Sequence, residues 1–392
     1  MNTILHSSLE NKDYLEALSI LASLSRLFST STIPYLDYRL AENLFCSFFN
    51  AVNEARSCTA YDAKINQVGI GIKTFILKDN QSTEKIAEFN RVKKDLDPLK
   101  GIRLAKKLAT LRNERIAFAD RTYNTNERVY HIVGRMENAL RVFNVEYDCI
   151  DIDNIRILKD NDRSFSFTDE KHEYFFNRSK SVLIRRFVVP EDENESIIVP
   201  VHILEDPLPL ILNLLKGNVL VNMPIQSDID LLAPGRDYVI LPLYSTRSRI
   251  PIVPPKSGLN QWNASGRPRD PNEIYIPIPH YIHENYPEFF PSRNNKFNLL
   301  LPDGNNLIAK VCQDGGKALM SEHNADLGKW LLRDILKKPE RQLVTIDDLN
   351  KFGIDSVRIV NEHIIAENGL PVYRISFATT DYETYSQFSS DE

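Results

Sequence analysis

The sequence has few cysteines and no long apolar run. Its four cysteines, Cys46, Cys58, Cys149 and Cys312, lie far apart and form no Cys-x-x-Cys spacing. This pattern gives neither a disulfide framework nor a zinc site built on cysteine pairs. No apolar stretch approaches the roughly 18 residues that span a membrane, and the first residues do not form a basic segment followed by an apolar core. We therefore expect a cytoplasmic protein with reduced thiols and no membrane partner.

The chain also lacks a strong charge of either sign. Its 392 residues include 48 lysines and arginines and 53 aspartates and glutamates, for a net charge of −5. A nucleic-acid-binding protein of this composition must gather its basic residues in clusters. Apolar residues make up 42% of the sequence, which is enough for large buried cores, and the length predicts two or three domains.

A change of composition marks a domain boundary. Residues 188–210 are acidic and rich in proline, and a second polar segment with a Pro-Gly pair follows at residues 228–237. We place the break near residue 232. This predicts an N-terminal domain at residues 1–232 and a C-terminal domain at residues 233–392.

A predicted hairpin organises the N-terminal domain. Residues 57–77 read SCTAYDAKINQVGIGIKTFIL, two short strands joined by a turn at Asn66-Gln67. With this turn, Asp62 lies across from Gly71, and Asp62 and Lys73 are diagonal neighbours on one face. A carboxylate that holds a divalent cation, beside a lysine that serves the attacking water, suits metal-assisted hydrolysis of a phosphodiester. The alternative is a solvent-facing ion pair between the two strands.

The same face of the hairpin carries Gly69 and Gly71. We expect this face to be bare, so that a bulky ligand approaches the backbone closely. Apolar residues at helical spacing predict a helix over residues 36–54, directly before the hairpin. Glu42 falls at the edge of its apolar face and could point toward a neighbouring sheet or into solvent.

The hairpin resembles the active-site hairpin of the PD-(D/E)XK nuclease superfamily. In that family an aspartate lies on one strand and acid-x-lysine on the next; this sequence matches at Asp62 and Lys73 and departs at Gly71. The resemblance implies that Asp62, the backbone carbonyl of Ile72 and Glu42 on the preceding helix hold Mg²⁺, and that Lys73 serves the attacking water. It leaves open which acid replaces the second carboxylate.

Two basic stretches of the N-terminal domain are candidate contacts for phosphates. A helix predicted from Pro98 has a basic polar side, with Lys106, Lys107, Arg112 and Arg115. A second run, in residues 172–187, holds Arg178 and Lys180 beside serines that also donate hydrogen bonds to phosphates. Such contacts add affinity without sequence information; the alternative for each stretch is a solvated surface.

The C-terminal domain contains short strand-like runs broken by Pro, Gly and Asn, as in small barrels. Residues 257–279, SGLNQWNASGRPRDPNEIYIPIP, resemble the B3-like DNA-recognition domains of type II restriction endonucleases. The likeness covers residues 235–376. It implies a pseudobarrel of mostly antiparallel strands with two short helices, which grips the major groove of DNA with two projecting arms.

The resemblance places candidate DNA contacts in these arms. Arginine pairs with guanine, asparagine with adenine, and aspartate accepts from the cytosine amino group. The first arm holds Trp262, Asn263, Arg267, Arg269 and Asn272. The second arm holds Gln313, Asp314, Lys317, His323 and Asn324. Phosphate contacts are expected from Ser245, Thr246, Arg247 and Arg249.

These features predict an α+β protein, with an N-terminal α/β nuclease-like domain on a mixed sheet and a C-terminal B3-like β-pseudobarrel. The expected function is that of a type II restriction endonuclease, which cuts double-stranded DNA at specific sequences with Mg²⁺ and leaves a 5′-phosphate. A cognate DNA methyltransferase is expected because the family has one, and a homodimer is an open alternative to a monomer.

Two alternative functions remain. One is a sequence-specific DNA-binding protein whose N-terminal domain is catalytically inactive, and the other is an enzyme that acts on a substrate other than DNA. Some enzymes with this recognition domain use a phospholipase-D-type nuclease, which needs His-x-Lys motifs and no metal. None of the eight histidines stands in such a motif, so we exclude that chemistry.

Overall fold

A computed structural model describes residues 8–55, 57–161, 164–216, 234–245 and 250–380. Contacts between Cα atoms divide the chain into two compact units. The first unit contains the described parts of residues 1–55, 60–113 and 125–228, and the second contains those of residues 56–59, 114–124 and 229–392. Two short segments from the N-terminal half of the sequence therefore group with the second unit.

Helices and strands alternate along the described residues, as a mixed α/β protein requires. The helices are α1 Lys12–Ser23, α2 Tyr38–Phe49, α3 Lys93–Leu96, α4 Gly101–Tyr123, α5 Pro207–Lys216, α6 His280–Asn285, α7 Asp326–Gly328, which a π-helix continues over Lys329–Ile335, and α8 Ile346–Phe352. The strands of the first unit are β1 Val52–Asn53, β2 Ala63–Ile65, β3 Val68–Ile76, β4 Gln81–Glu88, β5 Glu127–Met136, β6 Ala139–Glu146, β7 Arg156–Asp160, β8 Phe165–Thr168, β9 Glu173–Asn177, β10 Val182–Val188 and β11 Ser196–Pro200. The strands of the second unit are β12 Tyr238–Pro242, β13 Ile276–Pro277, β14 Lys296–Leu300, β15 Asn306–Cys312, β16 Ala318–Ser321, β17 Ser356–Ile365 and β18 Pro371–Ala378.

The first sheet of the first unit contains the predicted hairpin. Its strand order is β1-β2-β3-β5-β6-β11, with β3 parallel to β5 and the other neighbours antiparallel. Ile65 pairs with Val68 and Ala63 with Ile70, so Asn66 and Gln67 form the turn. The predicted turn position is therefore confirmed.

Helices α1 and α2 cover one face of this sheet. Ile70 and Ile72 are buried in one cluster with Val129 of β5, Leu18 of α1 and Phe45 of α2. Because side chains alternate along a strand, the residues between them on β3 face the opposite side. One face of β3 is therefore used for packing against the helices, and only the opposite face of the hairpin can carry functional side chains.

The starts of both helices are fixed by side-chain caps. The Asn11 side chain accepts a hydrogen bond from the Tyr14 backbone N–H at 3.0 Å, and Asp37 accepts from the Arg39 N–H at 2.9 Å. Each cap satisfies one of the backbone donors that a helix start leaves unpaired. The register of α2 that follows turns Glu42 inward, where only 5% of its surface is exposed.

A buried polar chain crosses the interface between α1 and this sheet. The Tyr14 hydroxyl lies 2.8 Å from His131 Nε2, and His131 Nδ1 lies 2.8 Å from Asn144 Oδ1. Asn144 donates onward to the Ser8 hydroxyl at 3.0 Å. Burial lowers the pKa of His131 to about 4, which keeps the imidazole neutral in the folded protein.

The neutral His131 predicts that stability depends on pH. An exposed histidine in the unfolded chain titrates near pH 6.5, so between about pH 6.5 and 4 the unfolded state takes up a proton that the folded state refuses. We expect the free energy of unfolding to fall by up to about 3 kcal/mol as the pH decreases through this window.

Urea unfolding at several pH values measures this loss, and His131→Gln should make the free energy of unfolding depend less on pH. His172, whose pKa is also lowered to about 4 by burial, adds a slope that this variant retains. Equal slopes for wild type and variant would contradict the assignment.

The second sheet of the first unit is fully antiparallel, in the order β4-β10-β9-β8-β7. The N-terminal part of α4 packs on it, with Leu104 and Leu108 in one buried cluster with Phe165, Phe176 and Leu183. The apolar positions of this helix recur at intervals of three and four residues, as a surface helix on a sheet requires.

The second unit is built on a seven-stranded sheet, in the order β12-β17-β18-β14-β15-β16-β13. All neighbours are antiparallel except β14 and β18. Its half-barrel encloses a large core that includes Leu241, Phe297, Trp330, Ile359 and Phe377. Several sheets with helices agree with the predicted α+β class. Within the described residues, no helix is both long and apolar enough to cross a membrane.

Candidate active site and nucleic-acid interface

The two key residues of the predicted hairpin site are in contact. Lys73 Nζ lies 3.4 Å from Asp62 Oδ2, and the Ile72 N–H donates to the same oxygen at 2.8 Å. The Asp62 N–H in turn donates to the Ile70 carbonyl at 2.9 Å. The Asp62 carboxylate is therefore held by the backbone of β3, while its Oδ1 has no hydrogen-bond partner among the residues described.

Glu42 points toward the sheet, which decides between the two orientations that the sequence left open. Its Oε2 lies 3.1 Å from Arg39 Nη1, and Arg39 also donates to the Ala55 carbonyl at 3.0 Å. Burial raises the pKa of Glu42 to about 7; the nearby Asp62 carboxylate adds to the rise, and Arg39 and Lys73 oppose it. Glu42, Asp62 and Lys73 therefore lie within electrostatic range of one another.

Lys73 stays charged at neutral pH. Burial by itself would lower its pKa, but the Asp62 carboxylate, with Tyr130 and Glu84 nearby, raises it above the usual value. A general base works best with a pKa near the working pH. Lys73 is therefore better suited to act as a charged hydrogen-bond donor, which orients water or phosphate, than to act as a base that removes a proton.

The oxygens beside Lys73 have the chemistry that Mg²⁺ prefers. Magnesium is usually held by one or two carboxylates together with water and substrate phosphates, and Asp62 and Glu42 supply two carboxylates. The Ile72 N–H points to Asp62, and the N–H and C=O of one strand residue face the same edge, so its carbonyl faces that edge too. No group of three or more His, Cys, Asp or Glu side chains in the described ranges forms a metal cluster.

The glycine face of the hairpin is not bare, so that prediction is wrong. A Cβ atom on Gly71 would lie 2.8 Å from the rings of Tyr130 and Tyr147, and one on Gly69 would lie 2.5 Å from the ring of Tyr61. Tyr130 and Tyr147 stack with ring centroids 3.9 Å apart. The glycines make room for tyrosines of the same unit rather than for a ligand. No second carboxylate fits at position 71 with these rings in place.

Gly71→Ala is expected to destabilise the protein by about 1–3 kcal/mol, the usual cost of overpacking. The added methyl group meets two stacked rings that have little room to move. Denaturant unfolding measures the loss. In a double-mutant cycle, Tyr147→Leu should remove part of the cost by freeing space; strictly additive effects would show that these contacts do not limit position 71.

Two of the four basic side chains predicted on the polar side of α4 are engaged. Arg112 is 3% exposed; it donates to the Tyr130 hydroxyl at 2.9 Å and lies 4.8 Å from the Tyr147 ring centroid. Arg115 donates to the Lys351 carbonyl at 3.3 Å within the second unit. Lys106 and Lys107 are exposed and remain candidate phosphate contacts.

Of the two basic residues predicted to contact phosphates before β10, one is engaged within the protein and the other is exposed. Arg178 lies over the Phe165 ring at 5.3 Å, donates to the Leu99 carbonyl at 3.2 Å and pairs with Asp160 at 3.3 Å. Lys180 is exposed. A phosphate would therefore have to compete for Arg178, whereas Lys180 is accessible.

The first predicted arm has an exposed surface and a buried base. Asn263 and Arg267 are exposed, and Trp262 is half-buried against the core of the second unit. Asn272 is buried, and its Oδ1 accepts from Arg333 Nε at 2.7 Å. This position is structural, because the Asn272 amide points into the protein rather than toward a partner.

A buried carboxylate that we did not single out from the sequence organises this arm. Glu273 is 3% exposed, and its Oε1 lies 2.6 Å from Arg267 Nη2 and 3.4 Å from Arg269 Nε. Arg269 also donates to the Ala264 carbonyl at 2.6 Å. The sequence does indicate this cluster, because Glu273 follows Arg269 by four residues and Arg267 by six.

The second predicted arm is mostly accessible. Gln313 is half-buried with φ at 66°, and Asp314 is exposed with Arg293 Nη2 3.5 Å from its Oδ1. The other three candidates are exposed: Lys317, His323 and Asn324.

Of the predicted phosphate contacts, Ser245 is half-buried, and its N–H donates to the Ile252 carbonyl at 2.7 Å. Thr246, Arg247 and Arg249 lie outside the described residues.

Comparison with known families tests the C-terminal prediction. Residues 243–363 match the family model of the NgoFVII C-terminal B3-like DNA-binding domain. The predicted B3-like domain is supported over this range, which contains both arms, and with it the prediction of a DNA partner and of a link to restriction enzymes. The match does not extend to the first unit. No curated protein matches the chain.

Proposed function

We propose that the chain is a Mg²⁺-dependent restriction endonuclease, which cuts double-stranded DNA at sequences that its B3-like domain selects. The observation that carries the proposal is the contact of Lys73 with Asp62, with the buried Glu42 within electrostatic range. A carboxylate pair beside a charged lysine suits phosphodiester hydrolysis. The restriction-type DNA-binding match over residues 243–363 supplies the substrate class.

Each residue of the proposed site has a distinct role. Asp62 and Glu42, with the Ile72 carbonyl, would hold Mg²⁺. When bound, Mg²⁺ lowers the pKa of a coordinated water and stabilises charge on the phosphate. Asp62 keeps Lys73 Nζ in place at 3.4 Å, and Nζ donates hydrogen bonds that orient the attacking water or a phosphate oxygen. The product would carry a 5′-phosphate.

Sequence recognition belongs to the B3-like domain in this proposal. The exposed members of the arms would read base edges: Asn263, Arg267, Asp314, Lys317, His323 and Asn324. Arg269 and Asn272 would hold the first arm in shape, and Trp262 and Gln313 would support the arms at their half-buried bases. Lys106, Lys107 and Lys180 are exposed and would contact phosphates, where they add salt-sensitive affinity.

Two partners follow from the proposed function. A restriction enzyme requires protection of the host DNA, so we propose a cognate DNA methyltransferase in the same system. One Asp62–Lys73 site hydrolyses one strand at a time, and two copies of this chain would supply the two sites for a double-strand break. We therefore include a homodimer in the proposal, formed on DNA or before binding it.

A DNA-binding protein without cleavage is the second candidate, and one observation favours it. Tyr130 and Tyr147 fill the space where an acid at position 71 would stand. The site then depends on Glu42 for its second carboxylate, and Arg39 already contacts that group. If Arg39 cannot be displaced, the hairpin would be a structural remnant and only the B3-like domain would function.

Incubation with unmethylated phage DNA, with Mg²⁺ and separately with EDTA, tests the proposal. We expect discrete fragments with Mg²⁺ and intact DNA with EDTA. Fragments that form equally in EDTA would contradict the roles of Asp62, Glu42 and Lys73. Intact DNA under both conditions, with a band shift at low salt, would favour the second candidate.

A further inference from the structure

A further acid, Glu54, lies beside the proposed metal site, directly after β1. The Glu54 N–H donates to the Asp62 carbonyl at 2.9 Å. This bond continues the antiparallel register in which Asn53 pairs with Ala63. Glu54 and Asp62 are therefore opposite each other on neighbouring segments of the first sheet.

The position of Glu54 mirrors that of Gly71. On the β3 side of Asp62 the opposite residue is Gly71, because Ala63 pairs with Ile70, and tyrosine rings fill the space beside this glycine. On the β1 side the opposite residue is Glu54. Asp62 thus has no room for a carboxylate on one neighbouring strand and has one beside it on the other.

The side chains of these acids also approach one point on α2. Burial raises the pKa of the Cys46 thiol to about 12, and the negative charges of Glu42, Asp62 and Glu54 add to the rise. Because such charge effects weaken with distance, all three carboxylates lie near this thiol. Glu54 and Asp62 therefore project toward the same part of the unit.

Glu54 is more accessible than the other candidate ligand, Glu42. Glu54 is half-buried, and the Asp62 side chain is 23% exposed. Glu42 is 5% exposed and in contact with Arg39. A cation that arrives from solvent can therefore bind Asp62 and Glu54 without displacing Arg39.

The spacing of two opposite acids suits a small divalent cation. Cβ atoms directly opposite each other in an antiparallel pair are about 4.5–5.5 Å apart, and like charges there destabilise the sheet. Mg²⁺ binds oxygen ligands at about 2.0–2.1 Å, so one ion fits between the ends of an aspartate and a glutamate at this spacing. The ion would also remove the repulsion between the two negative charges.

We propose that Glu54 holds Mg²⁺ together with Asp62 and supplies the carboxylate for which position 71 has no room. The inference rests on the proposed nuclease function and names a further metal ligand of the same site. Glu42 then becomes an additional ligand rather than the only second carboxylate. The contact between Glu42 and Arg39 is therefore compatible with an active site.

Binding of Mn²⁺ to the full chain tests the proposal without relying on DNA cleavage. Mn²⁺ takes the same oxygen ligands as Mg²⁺, and electron paramagnetic resonance measures the free ion directly. We expect saturable binding of one Mn²⁺ per chain. Glu54→Gln and Asp62→Asn should each weaken this binding by about tenfold or more, since even residues that only support a metal ligand change the affinity by about 10–100-fold.

Two further variants serve as controls. Glu54→Asp keeps a carboxylate and should retain more affinity than Glu54→Gln, and Glu137→Gln, which removes an exposed acid in the turn between β5 and β6, should bind Mn²⁺ as the wild type does. Thermal unfolding checks the fold: Glu54→Gln should unfold at the wild-type temperature in EDTA and lack the rise that Mn²⁺ gives the wild type. A structural role would instead lower the unfolding temperature in EDTA and leave that rise unchanged, which would overturn the proposal.

The outcomes distinguish this proposal from the proposed function. Wild-type affinity in Glu54→Gln, with a loss in Asp62→Asn, would overturn the role of Glu54 and leave the Asp62–Lys73 site in place. No saturable binding, or equal affinity in the wild type and Asp62→Asn, would overturn both. An equal loss in Glu137→Gln and Glu54→Gln would also overturn the role of Glu54, because binding would then depend on overall charge.

Discussion

Lys73→Met is expected to lower the rate of DNA cleavage by about a thousandfold, within the range for removing a positioned catalytic group. Methionine keeps the apolar stem of the side chain and removes the charged Nζ that lies 3.4 Å from Asp62. DNA binding should persist, because we propose that the B3-like domain recognises the sequence. Single-turnover cleavage and a gel-shift assay on the same DNA measure the two effects separately.

The matched control is Lys85→Met on β4. Lys85 also pairs with a carboxylate, since its Nζ lies 3.3 Å from Glu88 Oε2, but it is an exposed pair with no proposed role in catalysis. We expect wild-type cleavage from it. Full activity in Lys73→Met would rule out the proposed site, and a parallel loss of cleavage and binding would point to misfolding, which thermal unfolding of the variant detects.

Glu273→Gln is expected to weaken binding to the recognised sequence by at least about tenfold and to lower stability by about 2–3 kcal/mol. The substitution keeps the shape of the side chain but leaves Arg267 and Arg269 without the buried carboxylate that holds both. The expected loss of stability is smaller than for a fully buried ion pair, because solvent screens the half-exposed Arg267. The first arm would then lose its fixed geometry.

Fluorescence anisotropy with a recognised and a random duplex measures this effect. Because phosphate contacts elsewhere are unchanged, binding to random DNA should change little. Glu288→Gln, an exposed acid of the same unit, is the control and should behave as wild type. Unchanged discrimination between the two duplexes in Glu273→Gln would exclude a role for this arm in recognition.

The local features of the fold could be predicted from the sequence. The alternation of Val68, Ile70 and Ile72 fixed the face of β3 that packs on the helices, and the turn at Asn66-Gln67 fixed the register. Together they brought Asp62 and Lys73 into contact. The C-terminal domain could be predicted because several segments of residues 235–376 resemble B3-like DNA-recognition domains in the same order, and the family match supports this over residues 243–363.

The failures share a physical cause, which is contact between residues distant in sequence. Tyr130 and Tyr147 fill the space above Gly71, and no local pattern indicates that these rings meet the hairpin. Arg112 reads as part of a solvated basic face but is buried against the same tyrosines. Asn272 reads as a free loop residue but bonds to Arg333, 61 residues further along the chain.

Sequencing the ends of DNA fragments tests the central claim most directly: that the Asp62–Lys73 site cuts DNA where the B3-like domain binds. Wild type and Asp62→Asn are incubated with the same unmethylated DNA and Mg²⁺. We predict wild-type ends with 5′-phosphates at a fixed distance from one shared sequence, and intact but gel-shifted DNA with Asp62→Asn. Cleavage by Asp62→Asn at the same positions, or wild-type ends at random positions, would contradict the account.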